Sequence, residues 1–203
     1  MSDRYRTVLL FGAPGAGKGT QGELLGGLPG YFHLSTGDMF RSLDKKSELG
    51  RVFFEYSSKG ELVPDEVTID MWRTYMNALR TLGRFRPHTH LLVLDGMPRT
   101  SKQTELISEA IDVRGVIHLI ASDPDAMVER LRQRALEQGR TDDAQDDVVR
   151  NRIDVYRRET RPVLDRYDTS IIHEVDAIGT QAEVLTGVLG AATRIRREAF
   201  GDE

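Results

Sequence analysis

Cysteine is absent from the 203-residue sequence, and so is any long apolar run. Without cysteine the chain has no disulfide framework and no thiolate with which to bind zinc. No apolar stretch approaches the length of about 18 residues that a membrane span needs, and the N-terminal residues lack the layout of a signal peptide. We therefore expect a cytoplasmic protein that does not enter a membrane.

Positive charge is not in excess either, because the formal net charge at pH 7 is −4 and the sequence pI is about 5.8. This balance argues against a general nucleic-acid-binding surface. Lysine supplies only five of the 28 basic residues, so any local concentration of positive charge depends on arginine. The chain is long enough for one large domain with a sizeable core, and we expect a single domain over residues 1–203.

Short apolar runs recur along the chain between longer amphipathic segments. This alternation predicts an α/β fold in which a five-stranded parallel sheet is covered by helices on both faces. More than fifty residues separate the second run from the third, which is far more than a crossover needs, so we expect a small helical insertion there. The predicted strands cover residues 7–11, 32–35, 91–94, 116–120 and 171–175.

Amphipathic patterns in the remaining segments predict helices. One covers residues 125–138, and a second covers 145–160 and ends in a kink at Arg161 and Pro162, because proline lacks the N–H that a continuing helix uses. A closing helix carries its apolar residues between 184 and 199. In the insertion, one helical face is predicted to be core, and it consists of Met71, Trp72, Tyr75, Met76 and Leu79.

A glycine-rich run at residues 12–20, Gly-Ala-Pro-Gly-Ala-Gly-Lys-Gly-Thr, lies between the first predicted strand and a predicted helix start. Glycine lets the backbone bend around an anion and point several N–H groups at it, while the helix N-terminus and Lys18 add positive charge. The general phosphate-loop pattern has Ser or Thr after the lysine, whereas this chain has Gly19 there and a hydroxyl only at Thr20. The run predicts a nucleoside triphosphate site with an unusual last position.

Asp95 follows the third predicted strand, at the edge where open α/β sheets bind their ligands. A carboxylate beside the phosphate loop suits Mg²⁺, and Thr20 and Asp38 are further candidates. Because Mg²⁺ keeps several of its waters, we expect coordination through water rather than an all-protein cage. The alternative interpretation is that Asp95 only caps a turn or a helix.

Arginine and amide side chains also follow the predicted strand ends. Arg99 and Gln103 lie one helical turn apart, so the guanidinium can hold phosphate oxygens while the amide reads a base edge. The second strand leads similarly to Thr36 and Arg41, in a segment that by itself is more typical of a simple helix cap.

The segment 130–166 contains ten arginines and no lysine. Arg134 and Arg140 flank a short connection and could close over an anion together with Arg130 and Arg152. The segment offers no plausible general base, and the five histidines show neither metal-ligand spacing nor an acidic partner, so we expect each histidine to be structural or exposed. Phosphoryl transfer to another phosphate needs no general base, because the acceptor oxygen is already anionic.

These motifs together resemble those of the adenylate kinases, within the nucleoside monophosphate kinase family, over nearly the whole chain. Thr20 after Gly19 is that family's own version of the phosphate loop. The resemblance implies a P-loop NTPase-like fold with a nucleoside-monophosphate-binding (NMP-binding) insertion at residues 35–64 and a short lid at 134–144. The matched stretches are 12–21, 35–41, 60–65, 95–100 with Gln103, 139–143, and Tyr156, Thr160 and Pro162.

The resemblance also implies a reaction and its ligands. The reaction is reversible transfer of the terminal phosphoryl group of Mg-ATP to AMP, which gives two ADP. The family pattern implies a monomer with ATP, AMP and ADP as partners and Mg²⁺ as cofactor. Zinc is not expected, because the short lid lacks the cysteines of zinc-binding long-lid relatives. The Met97–Pro98 peptide bond is expected to be cis.

Position within the family motifs gives each candidate residue a role. The implied catalytic residues are Lys18, Arg99, Arg134, Arg140 and Arg152, and the implied magnesium-side residues are Asp95 and Asp38, acting through water. The implied ATP site consists of Gly15, Ala16, Gly17, Lys18, Gly19, Thr20, Arg130, Arg134 and Gly179. The implied AMP site consists of Thr36, Arg41, Glu61, Leu62, Val63, Gly96, Met97, Pro98, Arg99, Gln103, Arg140 and Arg152.

The chain departs from the family pattern in two places that matter for these roles. Met97 stands where the family usually has Phe or Tyr. The spacing from Arg140 to Arg152 is one residue longer than usual, so Arg150 competes for the same role. We choose Arg152 because the downstream motif that includes Tyr156 follows it in the family register.

Three other functions stay open from the sequence. A UMP/CMP kinase is disfavoured by Thr36 and Gln103, because pyrimidine-specific relatives tend to have Ala and Asn there. A non-catalytic nucleotide-binding switch would not need the acceptor-side residues Arg41 and Arg99. A paralogue with damaged activity is the third alternative, and the two departures from the family pattern keep it open.

Overall fold

The computed structural model describes residues 4–121, 127, 129–132 and 145–201. Their fold is built on a five-stranded sheet with the strand order β2-β3-β1-β4-β5. All four neighbouring strand pairs run parallel, so the predicted α/β fold class is confirmed. The strands are β1 (Tyr5–Gly12), β2 (Tyr31–Ser35), β3 (Leu91–Asp95), β4 (Ile111–Ile120) and β5 (Ile172–Asp176).

Helices fill the segments between the strands. The predicted kink at Arg161 and Pro162 is confirmed, because the helix Asp146–Val155 passes into a π-helical turn at Tyr156–Thr160 and then a 3-10 turn at Arg161–Arg166. Within the described segments, no helix has both the length and the apolar composition that crossing a bilayer demands. The α-helices are α1 (Lys18–Gly26), α2 (Thr36–Arg41), α3 (Glu48–Ser57), α4 (Asp65–Thr81), α5 (Ser101–Ile107), α6 (Asp146–Val155) and α7 (Gln181–Phe200).

Two predicted segments cannot be compared in full with the structure. Residues 127 and 129–132 of the predicted helix 125–138 are helical, and the remainder of that helix lies outside the described residues. The predicted lid at 134–144 lies entirely outside them. The predicted insertion at 35–64 contains α2 and α3, and its separate role in ligand binding stays a prediction.

The core lies on both faces of the sheet. In β1, Leu9 and Phe11 belong to one apolar cluster, while Val8 and Leu10 belong to the other. Alternate side chains thus enter opposite halves of the core, which is why these strands read as continuous apolar runs. Helix α4 packs on the first face, and α7 packs on the second.

The buried face of α4 differs from the predicted one. Tyr75 is 38% exposed and Met71 is only partly buried, whereas Ile69 is 2% exposed and Trp72 is 1% exposed. The buried positions 69, 72, 76 and 79 follow the three-and-four spacing of one helical stripe. The core stripe is therefore rotated away from the predicted one, toward Ile69.

Strand β4 begins five residues before its predicted start. Arg114 and Gly115 interrupt the apolar pattern there, but Tyr5 of β1 already pairs with Ile111. The pairing shifts register between Thr7 and Val8, so the extra residues of β4 join the ladder through an irregularity.

The register of the sheet brings three strand ends to one level. Asp95, the last residue of β3, pairs with Leu10 of β1 on one side and with Ser35 of β2 on the other. Beyond these positions the chain enters the glycine-rich run, helix α2 and the segment 96–100. The candidate site residues therefore gather at the carboxyl edge of the sheet, as expected for this architecture.

Helix α7 begins with a capping box that offers a test of the fold. The Thr180 hydroxyl accepts a hydrogen bond from the Glu183 N–H (3.3 Å), and the Glu183 carboxylate accepts one from the Thr180 N–H (2.8 Å). We predict that Thr180→Ala lowers the free energy of unfolding by about 1 kcal/mol, because the Glu183 N–H loses its partner. Urea unfolding measures this change. Thr186→Ala, within the exposed part of the same helix, is the matched control and should cost less; equal costs would contradict the prediction.

Candidate active site

The glycine-rich run forms an anion cradle in front of α1. Gly17 is the N-cap of the helix, adopts φ +89°, and provides no side chain to cap the first N–H groups. Those N–H groups therefore stay available to a ligand, and the helix N-terminus favours negative charge. The predicted order of strand, tight loop and helix start is confirmed.

The Lys18 side chain contacts the backbone of this loop. Its Nζ donates hydrogen bonds to the carbonyl oxygens of Gly12 (2.7 Å) and Ala13 (3.1 Å). The ammonium group is thereby fixed beside the cradle by main-chain oxygens. A phosphate in the loop would bring a full negative charge close to it.

The carboxylate of Asp95 lies on the other side of the loop. Asp95 is 7% exposed, and its Oδ2 lies 3.8 Å from the position that a Cβ on Gly19 would take. Asp38, the other predicted magnesium-side residue, has its Oδ1 2.6 Å from Nη2 of Arg41. Asp95 thus faces the phosphate loop, whereas Asp38 is engaged with an arginine.

The prediction that no histidine has an acidic partner is wrong. The Nε2 of His33 lies 4.0 Å from Oδ2 of Asp95, and the Nδ1 of His118 lies 3.9 Å from Oε1 of Glu174. His118 and Glu174 are register partners on neighbouring strands, so residues distant in sequence share one face of the sheet. Burial nevertheless outweighs the carboxylates and lowers the pKa of both histidines.

Arginine side chains crowd the part of the site opposite the loop. Arg99 donates from Nε to the carbonyl of Gly96 (2.7 Å). The pKa of the Arg99 guanidinium is lowered to about 10, chiefly by burial and then by the positive charge of Arg152, with a smaller contribution from Arg41 and an opposing one from Asp95. At neutral pH Arg99 is still protonated, so the site holds repelling cations that a bound anion would stabilise.

Arg152 and Arg150, the two candidates for one predicted role, differ in their position relative to the cleft. Arg152 is partly buried and lines the cleft, whereas Arg150 is exposed and lies outside the lining. Gly60 permits this approach, because a Cβ there would lie 2.9 Å from Cγ of Arg152. The position of Arg152 agrees with its predicted placement, while its role in the reaction stays a prediction.

One cleft of about 470 Å³ joins the loop to the arginines. Every predicted site residue in the described part of the chain lines it, and Arg134 and Arg140 lie outside the described residues. The Met97–Pro98 peptide bond is cis, as predicted. The predicted residues that line the cleft are Gly15, Ala16, Gly17, Lys18, Gly19, Thr20, Thr36, Asp38, Arg41, Glu61, Leu62, Val63, Asp95, Gly96, Met97, Pro98, Arg99, Gln103, Arg130, Arg152 and Gly179.

Comparisons with known proteins agree with this arrangement. A family model described as adenylate kinase matches residues 10–172. The chain is 40% identical over 193 residues to the adenylate kinase of Kocuria rhizophila. The aligned residues cover 92% of this chain and 98% of the relative. The chain belongs to the adenylate kinase family.

Two further relatives of that family show the same extent of similarity. The chain is 40% identical over 178 residues to the adenylate kinase of Mycobacteroides abscessus, covering 87% of this chain and 93% of the relative. It is 39% identical over 192 residues to that of Nocardia farcinica, covering 92% and 99%. The family predicted from the motifs is confirmed.

Some residues of the cleft were missed by the sequence reasoning. The rings of Phe40 and Phe53 stack with their centroids 5.2 Å apart and form an aromatic wall. Phe40 lies inside a matched motif, so its position carried a signal, whereas Phe53 shows only the amphipathic pattern of α3. Arg130 donates to the carbonyl of Ala177 (2.9 Å), which ties that arginine to the segment after β5.

A pair of glycine substitutions tests the packing around Arg99. Gly83 has φ +68° with open space around an added Cβ, so we predict that Gly83→Ala costs about 1 kcal/mol for the backbone alone. Gly96 has φ +81°, and an added Cβ would also lie 2.7 Å from Thr36 Oγ1 and 3.0 Å from Arg99 Nη2. Gly96→Ala should therefore cost at least about 1 kcal/mol more than Gly83→Ala.

Urea unfolding of the two variants against the parent protein measures the difference. Equal costs would mean that the guanidinium and hydroxyl move away freely, contrary to the crowded packing described here.

Proposed function

We propose that the chain catalyses reversible transfer of the terminal phosphoryl group of Mg-ATP to AMP, with two ADP as products. The observation that carries this proposal is the single cleft with two different anion-holding walls. One wall is made of main-chain N–H groups with Lys18, and the other is made of arginine side chains that include Arg99 and Arg152. Membership of the adenylate kinase family supports the same reaction.

The donor phosphates belong in the loop that precedes α1. The N–H groups of the helix start would hold the β- and γ-phosphates, and Lys18 would exchange its carbonyl partners for phosphate oxygens. Arg130, held by the carbonyl of Ala177, would extend this charge along the triphosphate. Gly179, which also lines the cleft, would border the donor nucleoside.

The acceptor phosphate belongs with Arg99, Arg41 and Arg152. Burial and the nearby positive charges of Arg152 and Arg41 disfavour the Arg99 cation when no anion is bound, as its lowered pKa reflects. A phosphate dianion would replace repulsion by charge-assisted hydrogen bonds. Arg41 would give up part of its interaction with Asp38 in the exchange.

The chemical step then needs positioning and charge neutralisation. An oxygen of the AMP phosphate attacks the γ-phosphorus of ATP, a new P–O bond forms, and the bond from that phosphorus to the bridging oxygen breaks. The leaving oxygen departs as the terminal oxygen of ADP, and the attacking oxygen carries no proton that a base must remove. The predicted catalytic arginines, with Arg134 and Arg140 from the predicted lid, would neutralise the charge between the two nucleotides.

Magnesium fits the donor side of this cleft. Asp95 is buried, ionisable and directed at the phosphate loop, which suits a carboxylate that contacts Mg²⁺ through water. Asp38 would reach the same ion only after leaving Arg41. The ion would supply neutralisation of charge on the phosphate oxygens. Closure of the lid and the insertion would exclude water and so protect ATP from hydrolysis.

The base of the acceptor is the remaining specificity question. Thr36 and Gln103 line the cleft and favour AMP over CMP or UMP, as the family pattern implies. We also propose that the protein is a monomer and is located in the cytoplasm.

An assay that couples ADP formation to a colour change tests the proposal. With Mg-ATP as donor, a panel of AMP, CMP and UMP should give the highest kcat/KM for AMP. Faster turnover of CMP or UMP would instead support a UMP/CMP kinase. Absence of any acceptor-dependent ADP formation in a folded protein that binds ATP would support a nucleotide-binding switch.

Lys18→Met tests the role of the phosphate loop. We predict a fall in kcat of at least about a hundredfold, because a charge that stabilises the transferred group is lost. The far-UV circular dichroism spectrum should be unchanged. Lys45→Met, at an exposed lysine, is the matched control and should keep full activity. A folded Lys18→Met protein with near-normal kcat would contradict the assigned role.

A further inference from the structure

Asp65 contacts the side chain that the proposed function assigns to the AMP base. Gln103 is 2% exposed and has a partner at each end of its amide. Its Oε1 accepts a hydrogen bond from the backbone N–H of Arg99 (2.8 Å), and its Nε2 donates one to Oδ1 of Asp65 (2.9 Å). Asp65 itself lies outside the lining of the cleft.

These two partners fix the direction in which the amide points. A backbone N–H can only donate and an ionised carboxylate can only accept, so the oxygen must face Arg99 and the nitrogen must face Asp65. A reversed amide would lose both hydrogen bonds and would bring its oxygen against the carboxylate of Asp65. The bond to Asp65 is charge-assisted, so it contributes the larger part of this orientation.

The surroundings of Asp65 keep it in that role. It is the first residue of α4, so the partial positive charge of the helix N-terminus lies beside its side chain. Lys102, which lies next to Gln103 in the chain, forms its ion pair with Glu66. Lys102 and Glu66, the chain neighbours of Gln103 and Asp65, thus form a second contact between α5 and α4.

A glutamine amide of fixed direction distinguishes two classes of purine. A 6-amino purine presents a donor at position 6 and an acceptor at N1, whereas a 6-oxo purine presents an acceptor at position 6 and a donor at N1. The two patterns are reversed, so an amide that matches one must turn over to match the other. A glutamine that is free to rotate would accept both.

We propose that Asp65 is a positioning residue that makes the cleft select a 6-amino purine over a 6-oxo purine, by fixing the direction of the Gln103 amide. This inference rests on the proposed AMP site. A 6-oxo purine bound against this amide would leave buried donors and acceptors unpaired. The loss of these hydrogen bonds would lower its affinity relative to that of a 6-amino purine.

The test compares AMP with IMP, which has the 6-oxo pattern on the same ribose phosphate. Asp65→Asn keeps the size of the side chain but can donate or accept, so a reversed Gln103 amide would lose only its bond to Arg99. We expect the ratio of kcat/KM for AMP to kcat/KM for IMP to fall at least about tenfold, the equivalent of one lost charge-assisted hydrogen bond. Where IMP turnover is too slow to measure, calorimetric Kd values of the two nucleotides give the corresponding ratio for binding, which should fall in the same direction.

Two controls separate positioning from general damage. Asp70→Asn makes the same change at an exposed position of α4 and should leave the ratio at its parent value. Gln103→Met removes the amide, so in that background Asp65→Asn should change the ratio no further. If Asp65→Asn unfolds at a markedly lower temperature, Asp65→Ala carries the same expectation.

An unchanged ratio in a folded Asp65 variant would overturn the inference, and so would an equal fall in the Gln103→Met background. A loss of AMP activity with no change in the ratio would show a purely structural role. These outcomes differ from failure of the proposed function, in which the parent protein itself would form no ADP from AMP.

Discussion

The register of three parallel strands determines everything that the cleft can do. Asp95 lies level with Leu10 and Ser35 because β3 pairs with both neighbours in a continuous register. A slip of one residue would turn the Asp95 carboxylate to the opposite face of the sheet, away from the phosphate loop. The close-packed apolar clusters on both faces oppose such a slip, since it would exchange side chains of different shape between them. The chemistry at the edge of the sheet therefore depends on packing at its centre.

The same edge also concentrates charge that the protein must hold without its ligands. The positive charges of Arg152 and Arg41 act against the buried guanidinium of Arg99, and oxygen atoms of the protein oppose this effect. Asp38 faces Arg41, and the carbonyl of Gly96 accepts from Arg99. On the opposite wall, carbonyls of the glycine-rich loop accept from Lys18. Such contacts are weaker than those with phosphate, so the site sacrifices stability for affinity toward anions.

How far the sequence predicts this molecule depends on the range of each signal. Apolar runs and the glycine-rich loop are local patterns, and they predict the five strands and the phosphate cradle. The start of β4 was missed because Tyr5 pairs across an irregular register that no local pattern shows. The pairing of His33 with Asp95 was missed for a similar reason, since only the alignment of β2 with β3 brings the two side chains together.

The sequence predicts that Gln103 lies in the site, but it does not predict the direction in which its amide points. A glutamine side chain can donate or accept at either end, so its identity alone does not define which base edge it matches. The direction comes from Asp65, 38 residues earlier in the chain, together with a main-chain N–H. Two proteins with the same glutamine could therefore prefer opposite purines if their partners behind the cleft differ. The preference for one purine therefore depends on Gln103 and Asp65 together. Gln103 lines the cleft, and Asp65 outside it determines which end of the amide donates and which accepts.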